Sequence, residues 1–281
     1  MTDPLTEVAR WDAAADRATT PCGGGRIVWR GWGDGRPLLL LHGGAGSWRH
    51  WIRNLPTLAA RRRVLAPDLP GLGDSDMPPE PWTVASIAAL VADGLDRLIG
   101  ADAVCDVMGF SFGSLVAGHV AARLGTRART LVVVGASGLG LQRGNVVLEK
   151  VRDKTGEARM AAHRRNLARL MIADPARIDA AALAIQSWNS DHARIRSVGL
   201  SATTVLLDAL GAASARLGAV WGACDAVARD TLAARMATLR RHDPKADLRI
   251  VENAGHWVAY EAADGFNAIA AEMLDTAGSG G

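Results

Sequence analysis

The sequence predicts an α/β fold: a mostly parallel central sheet with helices on both faces and a block of helices inserted late in the chain. Three observations carry this reading. Short apolar runs of strand type alternate with helical stretches along most of the 281 residues, and such alternation implies a parallel sheet covered on both sides. One of these runs passes through the tight turn Gly109-Phe110-Ser111-Phe112-Gly113 straight into a small-residue helix. From Gly138 to Leu210 the alternation stops, leaving only helical stretches rich in Ala, Arg and Leu.

Taken in order, the strand-type runs are Arg26 to Trp32, Leu38 to Leu41, Arg63 to Ala66, Ala103 to Met108, Thr130 to Gly135, Leu217 to Trp221 and Leu248 to Val251. Helical patterns occupy Val84 to Ile99, Phe112 to Leu124, Asp230 to His242 and Val258 to Thr276. Residues 1–137 and 211–281 therefore read as the core, and 138–210 as a helical cap roofing it. Inside the cap, Pro175 behind Asp174 marks a helix start, with the proline at the first helical position and the aspartate as N-cap.

Ligands of such sheets bind at the C-terminal ends of the strands, and three reactive side chains follow strands there. Ser111 sits between Gly109 and Gly113 in a strand–turn–helix order that forces it into a strained conformation and lifts its hydroxyl clear of the sheet. A serine hydroxyl is a poor nucleophile at neutral pH; it needs a histidine to take its proton and a carboxylate to fix that ring's tautomer. Asp225 follows the strand ending at Trp221, and His256 follows the last strand, giving the chain order Ser, Asp, His. No acidic residue directly follows the strand Thr130 to Gly135, where Ala136-Ser137-Gly138 come instead, so Asp225 has no close rival.

The run Leu38 to Leu41 leads into His42-Gly43-Gly44-Ala45-Gly46. Glycines there let backbone N–H groups close on a substrate oxygen; Gly44 and Phe112 are the expected oxyanion-hole donors. His42 is expected to prop the glycine loop and to point away from the pocket. Gly43, Phe110 and Trp257, which adjoins His256, are the expected substrate contacts; Trp48, Trp51 and Trp188 are candidate walls, although large aromatics of this kind are more often core than ligand contacts. Leu170, Met171 and Met160 fit ordinary helix packing, and Glu261 reads as a structural carboxylate anchoring the last helix.

Composition bounds the alternatives. About half the residues (49%) are hydrophobic, enough for a sizeable core. The longest apolar runs fall short of the ~20 residues that span a bilayer, and Met1 to Glu7 lacks the basic-then-apolar order of a signal peptide. Cys22, Cys105 and Cys224 are too few and scattered for a metal site or a disulfide frame, so a reduced, cytoplasmic setting is expected. A net charge of +3 comes without a basic stripe interleaved with aromatics, which argues against nucleic acid. The densest cluster, Arg61-Arg62-Arg63, reads as a solvated turn. The expected partner is a small-molecule substrate, with no nucleic acid, membrane, metal or organic cofactor; a homo-oligomer stays open.

Together, His42-Gly43-Gly44, Ala66-Pro67-Asp68-Leu69-Pro70-Gly71-Leu72-Gly73-Asp74-Ser75, the serine turn, Trp221-Gly222-Ala223-Cys224-Asp225 and Gly255-His256-Trp257 resemble the α/β-hydrolase superfamily from about Arg26 to Leu274. The stretch from Gly255 to Asn267 and Ser137-Gly138-Leu139-Gly140 are similar to the meta-cleavage-product hydrolases, which break a carbon–carbon bond in vinylogous diketones. The resemblance implies an α/β-hydrolase fold and a Ser111–Asp225–His256 triad. It departs from that subgroup at Phe110, where a polar residue is usual, and at a shorter glycine loop with His50 near the usual asparagine's place, which makes His50 a further expected substrate contact. It implies a cap arginine for a substrate carboxylate, with Arg177, Arg194 and Arg196 as candidates. Epoxide hydrolases attack with a carboxylate where this chain has Ser111, and the only tyrosine, Tyr260, lies outside the cap. The expected function is a serine hydrolase acting on a small apolar or aromatic carbonyl compound, by C–C bond hydrolysis or as a carboxylesterase or lactonase. The other class is a catalytically idle ligand-binding member of the fold.

Overall fold

The computed structural model describes residues 5–196 and 203–275. In chain order these residues form α1 (Thr6–Ala13), β1 (Asp16–Cys22), β2 (Gly25–Trp32), β3 (Arg36–Leu41), α2 (Leu55–Ala59), β4 (Arg62–Pro67), α3 (Val84–Ile99), β5 (Cys105–Phe110), α4 (Phe112–Leu124) and β6 (Ala128–Val134). There follow α5 (Gly156–Asn166), α6 (Ala180–Asp191), α7 (Val205–Leu210), β7 (Arg216–Gly222), α8 (Leu232–His242), β8 (Asp247–Val251), α9 (Val258–Glu261) and α10 (Ala263–Asp275).

The strands make one sheet in the order β1-β2-β4-β3-β5-β6-β7-β8. β1–β2 and β2–β4 pair antiparallel, and every other pair is parallel. All four of Leu38 to Leu41 are fully buried. Such a run lacks in–out alternation because both faces of a central strand are covered. Leu39, Leu41, Val107 and Val133 pack with α3 and α4 on one face. Leu38, Leu40, Met108 and Val132 pack with Phe266 and Met273 of α10 on the other. A fully buried leucine contributes about 1.5–3 kcal/mol, so this central strand is a firm anchor for the loop that follows it. The Thr83 cap explains why α3 starts where its pattern does: its side chain accepts from Ser86 N at 3.0 Å, and Ser86 Oγ accepts from Thr83 N at 2.8 Å.

Between β6 and β7 the described residues form helices and irregular segments without a strand. Residues 197–202 of that insertion, and Thr276 at the end of the last predicted helix, lie outside the described residues. No described helix is long and apolar enough to cross a membrane.

Four local expectations need correction. β1 has no counterpart among the predicted strands: Asp16–Cys22 is polar and contains Pro21, a pattern tolerated at a sheet edge, where one side of the strand needs no partner. The last helix is two, α9 and α10, separated at Ala262. Pro175 does start a helical turn, with Asp174 Oδ1 accepting from Ala176 N at 3.0 Å, but the turn ends at Arg177. Arg62 is not solvated; it is buried, donates to Asp106 Oδ2 at 3.1 Å and pairs with Asp275. Asp106 also accepts from Arg129, so two guanidiniums share one buried carboxylate.

Candidate active site

The end of β5 shows why Ser111 needs glycines around it. Its backbone lies at φ +52°, in the left-handed region that L-residues avoid. A Cβ on Gly109 would lie 2.2 Å from Gly113 O, and one on Gly113 would lie 2.3 Å from Leu41 O. The turn therefore closes only without those side chains. It is held by Ser111 N donating to Val134 O at 2.8 Å and by Ser114 Oγ donating to Gly109 O at 2.7 Å. The strain thus rests on a rigid base of strand and helix.

Two further loops bring their side chains to the same edge. The loop after β7 carries Asp225, which is fully buried. The loop after β8 carries His256, also buried. They pack so closely that a Cβ on Gly222 would lie 2.2 Å from Ala254 O. Cys224 N donates to Ala254 O at 2.9 Å, tying one loop to the other. His256 Nε2 lies 2.9 Å from Ser111 Oγ, and His256 Nδ1 lies 2.9 Å from Asp225 Oδ2. The other carboxylate oxygen accepts from Val227 N at 2.8 Å. Asp225 fixes the proton on Nδ1 and leaves Nε2 as the acceptor for the serine hydroxyl. A hydroxyl in this setting can pass its proton to the ring as it attacks a carbonyl.

The glycine loop follows β3. His42 is fully buried; its Nε2 accepts from Leu69 N and its Nδ1 donates to Gly43 O, both at 2.8 Å. Gly43 N donates to His50 Nδ1 at 3.2 Å, so that amide is occupied. Phe112 is the first residue of α4, and an N–H at that position has no intrahelical acceptor. Gly44, Phe112, Ser111 and His256 all line one cavity of about 310 Å³.

That cavity has an apolar wall and a charged rim. Phe110, Leu115, Leu170, Met171, Ile195 and Val227 contribute the wall. Arg143, Arg152 and Arg196 contribute the rim, and all three are exposed. Arg152 donates to Ala193 O at 3.1 Å, while Arg143 and Arg196 pair with no carboxylate among the described residues. No acidic residue lines the cavity among the described residues.

Several predicted contacts lie elsewhere. Trp257 and His50 do not line the cavity. Trp257 is buried, stacks on Tyr260 at 4.1 Å and donates from Nε1 to His50 O at 2.9 Å. His50 is buried with its ring 5.5 Å from that of Phe110, behind the wall. Trp48 and Trp51 belong to the core, and Trp188 stacks on His192 at 3.7 Å. Of the three candidate arginines, Arg177 donates to Glu261 O and Arg194 to Gly73 O and Ser75 O; only Arg196 reaches the cavity. Gly43 and Phe110 do line it, and so do Leu170 and Met171, which also pack in the core.

Sequence reasoning missed Arg143, Leu148 and Arg152. They come from an irregular segment with no periodicity to place them. Glu261 ties more than a helix. It is buried, and its carboxylate accepts from Gly255 N at 2.6 Å and from Ala173 N and Asp174 N at 2.9 Å. It thereby joins the His256 loop to the insertion.

Comparisons with known proteins agree with this architecture. The model of the alpha/beta hydrolase family matches residues 38–269. The chain is 30% identical to a dihydrolipoyllysine-residue acetyltransferase component of an acetoin cleaving system from Pseudomonas putida, over 91% of this chain and 70% of that protein. It is 28% identical to a 2-hydroxy-6-oxo-6-phenylhexa-2,4-dienoate hydrolase from Burkholderia cepacia, over 86% of this chain and 88% of that one. Several other curated relatives are matched over only about two-fifths of their length. An esterase from Rhodococcus sp. ECU1013 superposes with a TM-score of 0.72 at 22% identity, covering 94% of this chain and 100% of the other.

Proposed function

Because the chain belongs to the alpha/beta hydrolase family, we propose that it is a serine-dependent hydrolase with Ser111 as nucleophile, His256 as general base and acid, and Asp225 as the group that orients His256. The observation that carries this reading is the pair of 2.9 Å contacts joining the three side chains under one cavity. In the first step His256 Nε2 takes the Ser111 proton while Oγ attacks the substrate carbonyl. The N–H groups of Gly44 and Phe112 receive the oxyanion; each such donor lowers the barrier by about 2.7–4 kcal/mol. The imidazolium returns its proton to the leaving group, and water, deprotonated by the same ring, releases the acyl group from Ser111.

The substrate we favour is a small acid with an apolar body: a 6-oxo-dienoate-type diketone cleaved at a carbon–carbon bond. Three rim arginines without an acidic neighbour in the lining support a carboxylate on the substrate, and the apolar wall supports the rest of it. The name of the Burkholderia relative supports the same class. For this substrate ketonisation of the dienol precedes attack, so that the leaving carbon departs as a stabilised enolate. Ester or lactone hydrolysis is the second reading, supported by an architecture shared with an esterase. A reduced, cytoplasmic setting belongs to the same proposal, supported by three free thiols at Cys22, Cys105 and Cys224.

The test compares bleaching of a yellow ring-fission dienoate with hydrolysis of a p-nitrophenyl ester by one preparation, with Ser111→Ala beside it. Faster turnover of the dienoate, lost in the variant, is the expected result. Equal inertness of wild type and variant on both substrates would move the chain to the ligand-binding class.

A further inference from the structure

We propose that His42 and His50 form a positioning clamp on the glycine loop, fixing two successive peptide planes so that the Gly44 N–H is aimed at the substrate oxygen. This rests on the hydrolase reading above and adds a role to two residues that do not touch substrate.

Both histidines bond to the backbone of the same residue, Gly43, one at its carbonyl and one at its amide. His42 Nδ1 donates to Gly43 O at 2.8 Å, while its Nε2 accepts from Leu69 N at 2.8 Å. Gly43 O and the Gly44 N–H belong to one trans peptide, in which carbonyl and N–H point opposite ways. Holding the carbonyl toward His42 therefore turns the Gly44 N–H the other way, and Gly44 is on the cavity wall. His50 Nδ1 accepts from Gly43 N at 3.2 Å and so fixes the preceding plane. The two rings must hold opposite tautomers, His42 with its proton on Nδ1 and His50 with its proton on Nε2.

The seat of His50 is built for the ring. A Cβ on Gly46 would lie 2.3 Å from His50 Cε1, so the loop makes room only because residue 46 is glycine. The backbone of His50 is held by Trp257 Nε1, which donates to its carbonyl at 2.9 Å. The rings of Phe110 and Trp257 stand against it at 5.5 and 5.1 Å. Burial lowers the pKa of both histidines, that of His50 well below the usual value, so each ring stays neutral and keeps its acceptor nitrogen. The loop also needs holding, because Ala45 lies at φ +46°. A residue that merely filled space would not need an acceptor aimed at a backbone amide.

The test uses His50→Leu, which removes the acceptor, and His50→Asn, whose Oδ1 can take the place of Nδ1. For an aryl ester, His50→Leu is expected to lower kcat at least about tenfold with KM within about twofold, and His50→Asn to recover most of it. Affinity for a boronic acid that forms a tetrahedral adduct on Ser111 should fall and recover by the same factors. Hydrogen exchange at the Gly43 amide should accelerate in His50→Leu and stay protected in His50→Asn; this readout holds whether or not the protein turns over an ester. The clamp is overturned if Gly43 exchange is unchanged in His50→Leu, or if both variants lose kcat only in step with lost thermal stability. An inert wild type with the expected exchange pattern would instead count against the hydrolase reading and leave the loop's mechanical clamp standing.

Discussion

The floor and the roof of the cavity are built in different ways. On the floor, Ser111, Asp225 and His256 follow strands, are tied to one another at 2.9 Å, and rest on loops closed by backbone hydrogen bonds. On the roof, Arg143, Leu148 and Arg152 come from a segment with neither helix nor strand, next to Val147, which is 72% exposed. The floor holds geometry to within a hydrogen bond, as a proton relay requires. The roof brings these side chains from irregular chain beside Leu170 and Met171 of a helical turn. The three reactive side chains thus sit on the sheet edge, and the exposed arginines that line the cavity come from the insertion.

The hardest break of the floor is Ser111→Ala, expected to lower kcat by about 10⁶-fold with the fold intact, as read by ester or dienoate turnover and a melting curve. Asp225→Asn keeps the Val227 N–H bond but removes the charge that sets the His256 tautomer. It should lower kcat by about 10⁴-fold. Breaking the roof looks different. Arg143→Ala combined with Arg196→Ala should raise KM for a carboxylate-bearing substrate by about 10–100-fold, the value of a charge-assisted hydrogen bond. Hydrolysis of a neutral aryl ester by the same double variant should change little, and an equal loss on both substrates would show that the arginines act on the fold.

The joint between the two regions is Glu261. Glu261→Ala strands the N–H groups of Gly255, Ala173 and Asp174. Of these residues only Gly255 is buried, and an unsatisfied buried donor costs about 1–3 kcal/mol, so urea denaturation should show a loss of about that size.

Much of the floor was legible in the sequence because its residue types answer strict local demands. The strained serine needs glycines two residues away on either side, and the Leu38 to Leu41 run needs a doubly covered strand. Tyr260 and Trp257 illustrate the limit. A tryptophan next to His256 reads as a pocket wall, and its stacking on Tyr260 and its bond to His50 O put it in the core instead. The roof was less legible for a physical reason. An irregular segment has no period, so nothing in Arg143 or Arg152 marks them as facing a cavity, whereas Arg177 and Arg194 look identical in sequence and bond to backbone carbonyls instead. β1 escaped for a related reason, since an edge strand need not be apolar.

The smallest effect expected is on stability against pH. Burial lowers the pKa of His42, His50, His119 and His163, and both ring nitrogens of His163 are buried with no partner among the described residues. The unfolded chain therefore takes up protons first, at an ordinary histidine pKa of about 6.5. The contribution of these groups is fully present above that pH and is lost as pH falls toward the depressed folded values. These histidines leave the melting temperature unchanged just above neutrality and lower it on acidification; a rise on acidification would contradict the assignment of neutral rings.

The relay itself is tested most directly by reaction with a fluorophosphonate followed by intact-mass and peptide analysis. A single adduct on Ser111, formed quickly by wild type and lost or slowed by orders of magnitude in His256→Ala, is the predicted result. An adduct on another residue, or labelling of Ser111 at the same rate without the imidazole, would contradict it.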